Sequence, residues 1–206
     1  MIKNYLLFFL LITSSYLFSQ KAYFMAGSNT TNYTFKSSEG VMVTKLQSGS
    51  GSNYEMGYSS PIKDQQIFYE ISINLNDYNA IAGSPANSYK WETKYVGVQN
   101  AVSFNFPVID NFELMLKGGL NLSTIIYGKQ TVNGAVYDLM GQDEFSGILF
   151  SPFVGIHTSY QLNDFGYLSI GYSFYKSLNP FNVSPDKLSF STNQIQFGIH
   201  FNIYNN

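Results

Sequence analysis

Arginine and cysteine are both absent from this chain, and charge of either sign is scarce. Without cysteine there is neither a disulfide nor a lipid-modified cysteine anchor. All eleven basic residues are lysine, so the guanidinium forks and basic stripes that read phosphates and nucleic acids are missing. A formal net charge of −2 gives no attraction for a polyanion. Charged residues make up 12% of the chain, about half the usual share. Beyond the first residues no apolar run is long enough for a spanning helix, so a membrane protein of this composition must be a closed barrel.

What the chain does have begins at its start. Lys3 precedes an apolar stretch from Tyr5 to Phe18, followed by Ser19 and Gln20. A basic start, a short apolar core and a small residue predict a secretory signal peptide over 1–19, and the core is short of the about 20 residues of a spanning helix. Residues 20–206 then form one domain. Aromatics reach 17%, nearly all Tyr and Phe.

From Lys21 onward the apolar residues alternate rather than recur at helical spacing, which predicts strands. Ala22–Asn29 is the first, with mixed facing. Asn53–Ser59, Gln66–Asn76, Thr93–Phe106, Asn111–Ser123, Glu144–Tyr160, Tyr167–Tyr175 and Asn193–Ile203 complete a set of eight. The last is the cleanest: Ile195, Phe197, Ile199, Phe201 and Ile203 alternate with Gln196, Gly198, His200 and Asn202. Connections alternate in length. Pro61–Asp64, Pro107–Asp110 and Gln161–Asp164 are tight, whereas the gaps after the first, third, fifth and seventh strands are long and rich in Ser, Gly and Asn. Short periplasmic turns opposite long outer loops are the asymmetry of an outer-membrane barrel. Asn133-Gly134 between β-formers predicts a hairpin standing above the membrane, and Ser38–Gly40 predicts a weaker one. If these hairpins entered the wall, the count would be ten strands. Ser151-Pro152 predicts a bulge or local break in the sixth strand.

The fold expected is therefore all-β: an up-and-down antiparallel transmembrane β-barrel of about eight strands. Alternation alone does not say which face meets lipid, and a soluble periplasmic barrel binding a lipophile is the rival. Gly and Ser on the polar face, Tyr and Phe near strand ends, and the export signal favour lipid outside. On that reading Ile71, Ile73, Leu114, Leu116, Ile170, Ile195, Phe197, Ile199 and Phe201 face lipid. Glu55, Glu70, Glu113, Lys117, Gln99, Gln196 and His200 then form a polar network in a lumen just wide enough for side chains.

Asn53–Tyr58, Gln66–Ile71, Tyr95–Val98, Gly118-Gly119, Asp143–Gly147, Gly166–Phe174 and Asn193–Phe201 follow one another in an order that resembles the PorT-like outer-membrane β-barrel family. The resemblance covers nearly the whole of 20–206 and implies a small eight-stranded barrel in the cell outer membrane. It implies nothing about mechanism. The chain departs from the family pattern at Asn205-Asn206, where an aromatic end is usual, and at Pro152.

Candidate chemistry is sparse. His157 and Ser159 lie two apart on one face, the spacing of a base and a nucleophile, and some lipid A deacylases carry such a pair; an orienting acid is not evident. His200 has no second ligand at metal spacing, so no metal or other cofactor is expected. Gly49–Ser52 reads as a flexible loop, not a phosphate cradle. Tyr78, Tyr89, Trp91, Tyr137 and Phe181 read as loop aromatics that anchor the rim or bind a ligand. The expected roles are a monomeric structural or surface-interaction barrel, a narrow pore or transporter of a small apolar molecule, or a lipid-modifying enzyme. Its expected partners are outer-membrane lipid, the outer-membrane assembly machinery, periplasmic chaperones during biogenesis, and an extracellular ligand at the loops.

Overall fold

The computed structural model describes residues 20–36, 47–63, 66–84, 87–180 and 187–203. The alternating segments form β1 (Lys21–Lys36), β2 (Gln47–Lys63), β3 (Ile67–Ser84), β4 (Asn87–Ile109), β5 (Phe112–Val132), β6 (Ala135–Asp138), β7 (Ile148–Asn163), β8 (Gly166–Leu178) and β9 (Lys187–Asn202). A single 3-10 turn, Asp143–Phe145, lies before β7. Among the described residues no helix is long and apolar enough to cross a membrane.

Neighbouring strands pair antiparallel in chain order, with β5 against β7, β4 against β5, and β1 against β9 from Lys21↔Asn202 to Lys36↔Lys187. Eight strands thus close on themselves, and β6 stands outside the ring, paired only to the top of β5. Closure leaves no barrel edge bearing unpaired amides, which is the condition for crossing hydrocarbon with strands.

The outer face is dominated by apolar side chains through the middle of the strands, broken on β4 by Asn100, which the Tyr69 hydroxyl reaches. Ile71, Ile73, Leu116, Ile170, Ile195, Phe197, Ile199 and Phe201 are exposed on it, and Leu114 is half-buried there. The inner face carries Asn, Gln, Ser, Thr, Glu and Lys, almost all buried. This is the inverse of a soluble barrel, whose interior takes the apolar set. Ile71, Leu116 and Ile195 do not meet in a core. The first strand, whose facing is mixed in sequence, turns Tyr23, Met25, Asn29, Thr31 and Tyr33 inward. On the outer face of β2, β3 and β4 a polar group of Ser52, Asp77 and Lys94 lies above the apolar residues: Ser52 donates to Asp77 at 2.5 Å, and Lys94 pairs with Asp77 at 2.7 Å.

The strands run well beyond the spans predicted from sequence. The long gap after the third predicted strand is not a loop. Residues 77–92 continue β3 and β4 as a paired hairpin up to Ser84↔Asn87. Gly49–Ser52 likewise lies inside β2, with Gly49 opposite Thr31 and Gly51 opposite Asn29. Main-chain pairing to a neighbour already in place carries these polar stretches, which have little β-propensity of their own. Glu144 belongs to the 3-10 turn, so the strand it was expected to open begins at Ile148.

Asn133 and Gly134 form the tip of the β5–β6 hairpin with φ of 48° and 88°, the two positive values of a type I′ turn. The second candidate tip, Ser38–Gly40, lies outside the described residues. At Pro152 the β7–β8 ladder loses its pairs between Phe150↔Leu178 and Phe153↔Tyr175, yet the register is the same on both sides. The proline removes a donor without adding a residue, so there is a break and no bulge.

Candidate functional site

The lumen is layered, and each layer follows from which residues the register brings to one height. In the middle, β2, β3 and β5 turn Glu55, Glu70 and Lys117 toward each other. The Lys117 ammonium lies 3.2 Å from Glu55 Oε1 and 2.7 Å from Glu70 Oε2, and all three side chains are at most 6% exposed. Glu55 Oε1 also accepts bonds from the Tyr23 hydroxyl (2.9 Å), the Ser72 hydroxyl (2.9 Å) and Gln99 Nε2 (3.0 Å). Gln196 Nε2 donates to Glu55 Oε2 at 3.4 Å, and the Tyr175 hydroxyl donates to Gln99 Oε1 at 3.0 Å. Burying ions without water is costly unless partners saturate them, and here five donors converge on one carboxylate. The Lys117 ammonium also lies 5.3 Å from the Tyr23 ring and 5.9 Å from Phe153, which stacks on Tyr175.

Toward the outer side an amide ladder crosses the lumen: Gln194 Nε2 donates to Asn76, Asn76 Nδ2 to Asn74, and Asn74 Nδ2 to Asn121, all at 2.8 to 2.9 Å. Above it an aromatic cap fills the part of the wall that rises out of the membrane band. Tyr33, Tyr78, Tyr95, Leu139, Phe145, Leu149, Leu188 and Phe190 form it with Ala80, and Trp91 and Ile125 pack against it. Phe190 sits 4.9 Å from Tyr33 and 4.7 Å from Tyr78, ring centroid to centroid. The Tyr33 hydroxyl donates to the Tyr78 carbonyl at 3.1 Å. Burial holds the Tyr33 and Tyr78 hydroxyls well above the usual phenol range.

Tyr78 and Trp91 are therefore strand residues turned inward, not loop aromatics. Tyr78 is fully buried and Trp91 meets Phe145 edge-on at 5.4 Å. Tyr89 and Tyr137 are strand residues too, on β4 and β6, but exposed, and Phe181 lies outside the described residues. Sequence alternation gives face parity, but it cannot say that Tyr33, Tyr78 and Phe190 from three strands share one height.

Toward the periplasmic side, His157 and Ser159 are both buried and face inward as neighbours along β7. The His157 ring bonds across to β8 instead: its Nε2 is 3.1 Å from Ser173 Oγ. His200 makes a similar pair, with Ser169 Oγ 2.8 Å from Nε2 while the ring stacks on Tyr23. Among the described residues neither imidazole has a carboxylate at hydrogen-bonding distance, so neither pair has the third member that orients a base. Glu113 stands apart from the central group, half-buried near the mouth, where Asn105 Nδ2 reaches it at 3.4 Å. Lys21 also lies near this mouth, buried, with its ammonium 4.1 Å from the Tyr167 ring centroid. No group of three or more metal-ligating side chains occurs among the described residues.

No protein-family model matches this chain, and no curated protein matches it. Solved structures do. The chain superposes on the outer membrane protein OprG from Pseudomonas aeruginosa with a TM-score of 0.55 and 11% identity, covering 91% of this chain and 97% of that one. It superposes on Neisserial surface protein A, NspA, with a TM-score of 0.50 and 15% identity, covering 88% of this chain and 99% of that one. At such low identity the likeness shows the fold. With the apolar outer band and the polar, closed interior, it makes this chain a small eight-stranded β-barrel of the bacterial outer membrane.

Proposed function

We propose that this protein is a sealed, non-enzymatic barrel that acts at the cell surface through the strand extensions and hairpins above the membrane. The observation that carries this reading is the filled lumen: the Lys117–Glu55–Glu70 group, the amide ladder and the aromatic cap succeed one another along the axis. A solute would have to displace all three. The order of sequence motifs supports placing the chain among PorT-like barrels. Ile71, Ile73, Leu114, Leu116, Ile170, Ile195, Phe197, Ile199 and Phe201 contact acyl chains in this reading, and the barrel is a monomer in its lipid.

Against hydrolysis, His157 is engaged by Ser173 and not Ser159, and both serines are at most 4% exposed inside the lumen. A lipid acyl chain bound on the outer face has no described path to them.

Planar-bilayer recording of the refolded full chain in concentrated KCl tests the sealed state. The expected trace shows no stable unitary conductance. Steady open levels that scale with salt would overturn the reading in favour of the narrow pore.

A further inference from the structure

On the outside of the barrel β1, β9 and β8 carry matched rows of side chains, because residues opposite one another in an antiparallel pair share a face. Ala26, Phe197 and Ile170 make one row within the apolar band. Higher on the same three strands Thr30, Asn193 and Phe174 make another, and above it come Asn32, Ser191 and Lys176. The lipid-facing wall thus passes without a break from apolar side chains to hydroxyls and amides. Lys176 stands at that border, exposed, with Phe174 below it and Leu178 above it on its own strand.

Charge is unevenly matched around this rim. Lys94 is held by Asp77 and Lys90 by Glu92, each at 2.7 Å, and Lys129 lies opposite Asp138. Lys176 makes no ion pair among the described residues, and β1, β7, β8 and β9 contain no Asp or Glu. The neutral groups beside it are turned to donate. Asn193 Oδ1 accepts the Tyr172 hydroxyl at 2.5 Å and Asn32 Oδ1 accepts the Ser48 hydroxyl, so each carboxamide has its N–H donors left to offer. With the Lys176 ammonium and the Thr30 and Ser191 hydroxyls, on strands about 5 Å apart, they make a donor surface that no carboxylate answers. Phosphate and sugar oxygens are its complement.

We propose that the β1–β9–β8 wall binds a phosphorylated glycolipid of the outer leaflet. Its phosphate pairs with Lys176, and its sugar oxygens take the donors of Asn32, Ser191 and Asn193. An acyl chain runs down over Ala26, a small, half-buried residue between Tyr54 and Phe197. Only an amphiphile covers both the polar rows and the apolar row beneath them; a soluble polyanion would leave the lower row bare. The site lies on the outer wall, so it goes beyond the surface role proposed above and holds whether or not the lumen conducts.

Lipid A, a phosphorylated sugar carrying acyl chains, is the probe. The refolded full chain in zwitterionic detergent is titrated with it, and retained lipid is counted by native mass spectrometry. The parent is expected to retain lipid A in preference to phosphatidylglycerol, and Lys176→Gln to weaken retention about fivefold, the effect of one cation at an anionic lipid surface. Lys94→Gln, whose ammonium is already held by Asp77, should leave retention unchanged. Lipid A stripped of its phosphates should bind the parent and Lys176→Gln equally, because both changes remove the same contact. Both lysines lie on the outer wall, and heat-modifiable gel mobility checks that each variant has folded. Equal weakening by the two lysine variants, or a phosphate effect undiminished in Lys176→Gln, would overturn the site. Retention of phosphatidylglycerol as strong as that of lipid A would overturn its preference for a glycolipid, and no retained lipid A would overturn both.

Discussion

Replacing Lys117 with methionine is expected to cost about 3–5 kcal/mol of barrel stability, the range for removing one partner of a buried ionic group. Met matches the apolar stem in length, so packing is nearly kept and the loss reports charge. Glu55 and Glu70, 3% and 5% exposed, are left facing each other without the ammonium between them. Urea unfolding of the barrel refolded into lipid vesicles measures this. Trp91, the single tryptophan, packs against the aromatic cap and supplies the fluorescence signal. Combining Lys117→Met with Glu55→Gln and Glu70→Gln is expected to recover most of the loss, because no uncompensated charge remains. If Lys117→Met stays within about 1 kcal/mol of the parent, the group is solvated as a surface ion pair is. A water-filled lumen would follow, and the sealed-barrel reading would fall with it.

The parts of this architecture legible in the sequence are those that depend on parity and punctuation. Ile195, Phe197, Ile199 and Phe201 alternate with Gln196 and His200 because one face meets hydrocarbon and the other does not, and that pattern survives any register. Asn133 and Gly134 mark their turn through their own backbone preferences, whereas Pro107, read as the start of a turn, lies within β4 opposite Glu113 and the turn falls at Asp110 and Asn111. What could not be read depends on register and tilt. Nothing local says that Lys117 on β5 reaches both Glu55 on β2 and Glu70 on β3, or that His157 meets Ser173 on β8 before Ser159 on its own strand. The cap escaped for a second reason. Tyr78 and Trp91 sit among Asn, Asp, Ser and Lys, residues that ordinarily signal loop, and only the pairing of 77–92 shows them to be strand. Glu113 is the converse case: it has the inward parity of Lys117 but lies four residues nearer the mouth, out of reach of the central group.

Gly171→Ala is expected to destabilise the barrel by about 3 kcal/mol, the upper end for overpacking. A Cβ at Gly171 would lie 2.0 Å from His157 Nδ1 and 2.3 Å from Cγ, well inside van der Waals contact. The imidazole has little room to swing aside, since it is 3% exposed and holds Ser173 at 3.1 Å. His157→Ala alone is expected to cost about 1–3 kcal/mol, from the cavity and the bond lost to Ser173. The double variant His157→Ala/Gly171→Ala should be more stable than Gly171→Ala alone, because the added methyl then occupies space the ring has left. That reversal, measured by the same urea titration, identifies His157 as a packing and hydrogen-bonding element of the wall between β7 and β8. Simple additivity of the two losses would show that the ring can move freely out of the glycine's way. A mobile, accessible imidazole of that kind is what hydrolysis by His157 requires, so the same three proteins, assayed for acyl release from lipid A, separate the two roles.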